Sequence, residues 1–147
     1  MPDVSAVQRL SIAALSLLAV ACTPHLALAR DDVPEEIRKQ ANPVELEESE
    51  VRYYARQFKG KCSRCHGLDG SGKGEATPDA LVRPADLTDV AFMASRTDGQ
   101  LFYQILMGGG DRCAMPAFGP DSDHAWTVDK IWHMVAFVRR FAERPSP

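Results

Sequence analysis

The 147-residue sequence lacks most features that would indicate an enzyme, a nucleic-acid binder or a membrane-spanning protein. No nucleophile stands beside a base in a motif, and no motif places a pair of carboxylates, so we expect no enzymatic activity. A broad basic excess is missing, since the formal net charge is −3, and nothing indicates nucleic-acid binding. No segment after residue 21 is apolar enough to cross a membrane.

The first 29 residues have the pattern of a signal peptide. Arg9 gives a weakly positive start, and residues 10–21 form an apolar run too short to span a bilayer. Ala27-Leu28-Ala29 supplies the small residues typical of a cleavage site. The sequence therefore predicts export to the periplasm. Cys22 offers an alternative, a lipoprotein anchor, although the residue three positions before it is alanine and not leucine.

Cysteine is scarce, yet two of the four cysteines stand three positions apart. Cys62 and Cys65, followed directly by His66, form Cys-x-x-Cys-His, the attachment pattern of a c-type haem. Two thiols on one helical turn can each bond a vinyl group of one porphyrin, and the imidazole then points at the iron. A redox dithiol and half of a zinc site are the alternatives. The first lacks a preceding strand, and the second lacks another ligand pair.

The rest of the chain divides into an acidic arm, residues 30–48, and a folded domain, residues 49–147. Two prolines interrupt the arm, and its many acidic residues predict an extended segment on the surface. The domain shows helical periodicity and no convincing strand, which predicts an all-α fold of three to five helices around one haem. Helix starts are expected at Ser49, at the Thr97–Gln100 capping box and near Thr127.

These motifs together resemble a monohaem class I cytochrome c, similar to the haem domains of the third subunit of high-affinity haem-copper oxidases. The matching stretches are residues 62–67, 69–74, 83–89, 98–102, 115–118 and 132–139, with Ile105, Gly108 and Gly109. One position departs from the pattern. Tyr54 stands where the family often has glycine, so the first and last helices are expected to cross at a wider distance, or with Ala55 as the small residue.

The resemblance implies a role for each residue of the cofactor site. Cys62 and Cys65 would form the thioether bonds, and His66 and Met115 would bind the iron as proximal and distal ligands. The carbonyl of Pro84 would accept a hydrogen bond from the His66 ring and fix its orientation. The glycine-rich run of residues 67–74 is expected to pass along the haem edge.

Other candidate ligands have weaker support from the sequence. Most lie in helical context, where core packing or a solvated surface is the ordinary role: Met93, Met107, Met134, His124 and His133. Cys113 stands two residues before Met115. It is expected to be a small buried or half-buried thiol, with a thiolate ligand or a redox-sensitive thiol as alternatives.

The function implied by the resemblance is one-electron transfer by a periplasmic shuttle. Its partners would be a dehydrogenase or quinol-oxidising complex as donor and an oxidase or reductase as acceptor. Two alternatives stay open: a dedicated haem subunit of a larger oxidoreductase, and a gas or redox sensor with a labile Met115. Basic residues between Lys59 and Lys73, with Arg112, are expected to surround the haem edge and to dock on an acidic partner.

Overall fold

The structure, a computed structural model, describes residues 32–77, 83–110 and 113–143. Those ranges contain helices and loops and no strand, which confirms the all-α prediction. Three helices are long and three have five residues or fewer. In chain order they are α1 Glu35–Arg38, α2 Glu48–Lys61, α3 Ser63–His66, α4 Val90–Ala94, α5 Asp98–Met107 and α6 Val128–Glu143. The predicted signal peptide, Cys22 and Arg112 lie outside the described residues.

Helix α2 leads directly into the cysteine motif. It begins one residue before the predicted cap at Ser49, because Glu47 is the N-cap and its backbone N–H donates to Oε2 of Glu50 at 3.1 Å. The helix continues through Gly60, and its C-cap is Cys62. Helix α3 follows at once, so the first thiol stands at the junction of two helices.

Helices α5 and α6 form the centre of the core. The predicted capping box of α5 is confirmed: Thr97 N–H donates to Gln100 Oε1 at 2.9 Å, and Gln100 N–H donates to Thr97 Oγ1 at 3.1 Å. Gly108, with φ of 70°, ends that helix. Helix α6 buries an apolar stripe against α2, α4 and α5, made of Ile131, Trp132, Met134, Val135, Phe137 and Val138.

Aromatic rings fill the crossing of α2 and α6. Tyr54 is buried and stacks on His133, with ring centroids 5.4 Å apart, and Phe58 packs against Phe137 at 5.8 Å. Ala55 is exposed, so the prediction that it takes the small position at this crossing is wrong. A ring that points into the crossing leaves its neighbour on the helix pointing to solvent.

The acidic arm packs against the domain instead of lying loosely over it. It contains α1, and its Val33 is buried. Gly99 N–H donates to the carbonyl of Gln40 at 3.1 Å, and Asn42 Nδ2 donates to the carbonyl of Trp132 at 3.0 Å. The prediction of a purely extended segment is therefore wrong for residues 35–38. Among the described helices, none has the length and apolar character needed to cross a membrane.

Candidate cofactor site

An apolar cleft lies where α2, α3, α5 and the loop after residue 113 meet. It encloses about 1290 Å³ of empty space, including its solvent-open mouth. Its lining is mostly aliphatic and aromatic, and it includes residues that carry sulfur or nitrogen. Residues that line it include Phe58, Lys61, Cys62, Cys65, His66, Arg83, Pro84, Leu87, Leu101, Gln104, Ile105, Cys113, Met115, Phe118, Trp126, Met134 and Val138.

The two motif thiols stand on one turn of backbone beside this cleft. The N–H groups of Cys65 and His66 both donate to the carbonyl of Cys62, at 3.1 and 2.9 Å. Both cysteines are free and partly buried. Burial raises the pKa of Cys62 to about 12, and the neighbouring Cys65 thiol adds to the rise. Cys62 and Cys65 stand three positions apart, which is the spacing that covalent attachment to the two vinyl groups of one haem requires.

The His66 ring is oriented by a backbone carbonyl. Its Nδ1 lies 3.2 Å from the carbonyl oxygen of Ala85, so a proton on Nδ1 is donated there and the Nε2 lone pair is left for a metal. Burial lowers the pKa of His66, and the bond to Ala85 opposes that change. A neutral imidazole is the form that binds iron.

The predicted acceptor for His66, the carbonyl of Pro84, is wrong by one residue. That carbonyl oxygen lies only 2.6 Å from where a Cβ on Gly72 would stand, so it faces the glycine loop. Pro84 itself lines the cleft. A rotation of one peptide unit exchanges which carbonyl faces the ring, and sequence spacing does not determine that rotation.

The glycine-rich loop covers the end of α3 instead of the cleft. Gly72 N–H donates to the carbonyl of His66 at 2.8 Å, and Gly74 N–H donates to that of Cys65 at 3.0 Å. A Cβ on Gly74 would lie 2.2 Å from the carbonyl oxygen of Arg64. The glycines are therefore required for close approach to the motif backbone, while their passage along a haem edge stays a prediction. We call residues 62–77 the histidine segment.

Met115 lies in a loop that is fixed to the end of α5. The N–H of Gly109 donates to the carbonyl of Met115 at 2.9 Å, and the N–H of Phe118 donates to that of Ile105 at 3.0 Å. Gln104 Nε2 lies 3.7 Å from the Met115 sulfur, within hydrogen-bond distance for this acceptor. The described part of residues 104–119 is called the methionine segment. Sequence reasoning missed Gln104, because its place in the last turn of a helix gave no signal.

The rival ligands differ in where the structure places them. Met93 is buried away from the cleft lining, and Met107 is exposed. His124 stacks on Phe118 with ring centroids 4.4 Å apart, and His133 stacks on Tyr54. Packing or exposure to solvent explains the positions of these four residues, and none of them needs a role as a ligand. Two other candidates share the cleft with Met115: Met134, which is almost fully buried in α6, and the partly buried thiol of Cys113.

The donor set and the lining fit a haem. Two thiols and an imidazole come from one segment, a thioether comes from another, and the space between them is apolar. An all-helical fold with this arrangement defines a cytochrome c domain. The chain belongs to the family described as cytochrome c oxidase, cbb3-type, subunit III, whose model matches residues 49–138. No curated protein matches it. Membership implies covalent haem c, haem-based electron transfer and redox partners.

Proposed function

We propose that this protein is a periplasmic one-electron carrier that moves electrons from a dehydrogenase or quinol-oxidising complex to an oxidase or reductase. The observation that carries the proposal is a single apolar cleft that brings together Cys62, Cys65, His66 and Met115. The bound haem would supply an iron that cycles between ferric and ferrous states. Export, by the signal sequence, agrees with the place where c-type haem is attached.

The residues of the cleft would each serve electron transfer without offering a substrate site. Cys62 and Cys65 would hold the porphyrin covalently, so that it is not lost between partners. His66 and Met115 would occupy both axial positions, and a neutral thioether opposite an imidazole favours the ferrous state. The apolar lining would keep water from the metal and limit the reorganisation that accompanies each electron.

The charges near the cleft support docking on an acidic partner. Lys61 and Arg83 line the cleft itself. Within residues 59–73, Lys59, Arg64 and Lys73 add positive charge against a single acidic residue, Asp69. The acidic arm is held elsewhere, across the ends of α5 and α6. Such a separation of charge steers association more than it strengthens binding, and salt screens it.

Stopped-flow electron transfer with the native partner across a salt series tests this docking. The bimolecular rate constant is expected to fall as ionic strength rises, and Lys61→Glu is expected to slow the reaction further at low salt. Lys39→Glu, on the packed arm, is the matched control and should have a smaller effect. A rate constant that rises with salt would show that like charges meet and would refute the acidic partner.

The covalent attachment is tested by measuring the mass of the denatured protein, after production in cells that mature c-type cytochromes. One haem should be added to the mass of the mature chain, and haem should not be released by acid extraction. Replacing both Cys62 and Cys65 with alanine should remove the added mass. Release of free haem from the unaltered protein would refute the proposal.

A dedicated subunit of a larger oxidoreductase is the second candidate. The description of the matching family, a subunit of an oxidase, favours it. Gel filtration of the native protein after mild extraction separates the two roles, because a carrier should elute alone and a subunit should elute with large partner chains. Carbon monoxide binding to the native ferrous protein would instead support a gas sensor, since it requires Met115 to leave.

A further inference from the structure

Gln104 occupies a position between the end of α5 and the sulfur of Met115. Its side-chain amide nitrogen, Nε2, lies 3.1 Å from the carbonyl oxygen of Gly108 and 3.7 Å from Met115 Sδ. A primary amide has two N–H groups, one for each acceptor. We propose that Gln104 is a positioning residue, which donates a hydrogen bond to the Met115 sulfur and selects the lone pair that faces the metal.

The amide of Gln104 is fixed by its other contacts. The main-chain carbonyl of Gln104 accepts from the N–H of Gly108 at 3.0 Å, while its side chain donates to the carbonyl of the same glycine. The side chain cannot turn away from the sulfur without losing the bond to Gly108. Gln104 also lines the cleft and is partly buried, so water competes less for its second N–H than it would at the surface.

The carbonyl and the sulfur of Met115 are thereby attached to Gly109, just beyond α5, and to Gln104 in its last turn. The Met115 carbonyl accepts from the N–H of Gly109 at 2.9 Å, and its sulfur accepts from Gln104. A thioether sulfur has two lone pairs, and an N–H directed at one leaves the other for the iron. One sulfur configuration is then favoured, and the loop has a smaller tendency to swing the thioether out of the cleft.

This inference rests on the proposed function, because it assumes a haem with Met115 as distal ligand. The experiment uses the ferric holoprotein with Gln104→Leu and, separately, Gln104→Ala. Both remove the donor, but they differ in volume, so a shared effect comes from the lost N–H. Alanine also suits the last turn of a helix, which protects folding. Met107→Leu, an exposed change on the same helix, is the control.

Titration with imidazole measures how readily Met115 is displaced. Loss of a hydrogen bond of about 1 kcal/mol predicts about fivefold tighter imidazole binding in both Gln104 variants. Paramagnetic NMR of the ferric protein should change from one sharp set of haem methyl signals to a broadened set averaged over two sulfur configurations. Met107→Leu should change neither measurement.

Unchanged imidazole affinity and an unchanged NMR pattern in both variants would overturn the inference, even if thermal stability fell. That result would leave Gln104 with only a structural role, as the donor to the carbonyl of Gly108. Failure of the proposed site itself has a different signature. If the unaltered ferric protein lacked the sulfur-to-iron absorption band in the near infrared, Met115 would not be the ligand at all.

Discussion

The two segments that border the cleft are held in place in opposite ways. In the histidine segment the proposed ligand, His66, belongs to a helix, α3, and a glycine loop covers the end of that helix. In the methionine segment the proposed ligand, Met115, belongs to a loop that is held by the end of a helix, α5. His66 stands on the backbone of its own short helix, with its ring oriented by the Ala85 carbonyl, whereas the loop that carries Met115 is positioned by what it packs against. Of the two proposed ligands, Met115 is therefore the one whose position we expect to depend more on changes elsewhere in the chain.

Among the substitutions considered, a glycine-to-alanine change in the histidine segment should lower stability most, because the backbone there is in close contact. A Cβ on Gly74 would lie 2.2 Å from the carbonyl oxygen of Arg64 and 2.6 Å from that of Ser63. These atoms belong to the motif backbone and cannot yield as a flexible side chain does. Gly74→Ala is expected to lower the free energy of unfolding of the holoprotein by about 3 kcal/mol, measured with denaturant.

Gly60→Ala is the matched control for that change. Gly60 lies in α2 with no heavy atom within 4 Å of its added Cβ. Alanine is favoured over glycine in a helix, so this variant should be stabilised by about 0.5–1 kcal/mol. Equal stability of the two variants would contradict the close packing of the glycine loop on α3.

Gly108 tests the methionine segment in the same way. Its φ is 70°, and an added Cβ would lie 2.7 Å from the carbonyl oxygen of Met115 and from the nitrogen of Ala117. Gly108→Ala is expected to cost about 2 kcal/mol of stability, because both the strain and the contacts oppose it. It should also weaken the near-infrared sulfur-to-iron band, which Gly74→Ala should leave intact. An unchanged band would mean that α5 does not position Met115.

Tyr54, at the crossing of α2 and α6, gives a smaller and pH-dependent effect. Burial first, and then the charge of Glu50, raise the pKa of Tyr54 from 10.0 to about 12 in the folded protein. A raised pKa means that folding favours the neutral phenol, so this contribution is complete below pH 10 and is lost as the pH rises toward 12. Tyr54→Phe should therefore reduce the fall in melting temperature over that range. Identical alkaline profiles would show that Tyr54 ionises freely.

Local patterns in the sequence predict the histidine segment well and the methionine segment only in outline. Cys62, Cys65 and His66 are adjacent, so their spacing alone carries the chemistry, and the capping box at Thr97 fixed the start of α5 for the same reason. The contact of Gln104 with Met115 joins residues that are brought together only by tertiary packing. Whether Ala85 or Pro84 accepts the hydrogen bond from His66 depends on the rotation of one peptide unit. The packing of the arm depends on partners more than fifty residues away, such as Asp98 and Trp132.

In the proposed electron carrier, His66 and Met115 together would hold the iron. The most direct measurement is the near-infrared spectrum of the ferric protein, before and after Met115→Ala, with Met93→Leu as control. We expect a weak sulfur-to-iron band in the unaltered protein and in the control, and no such band in Met115→Ala. A band that survives Met115→Ala, or one that disappears with Met93→Leu, would show that Met115 is not the distal ligand.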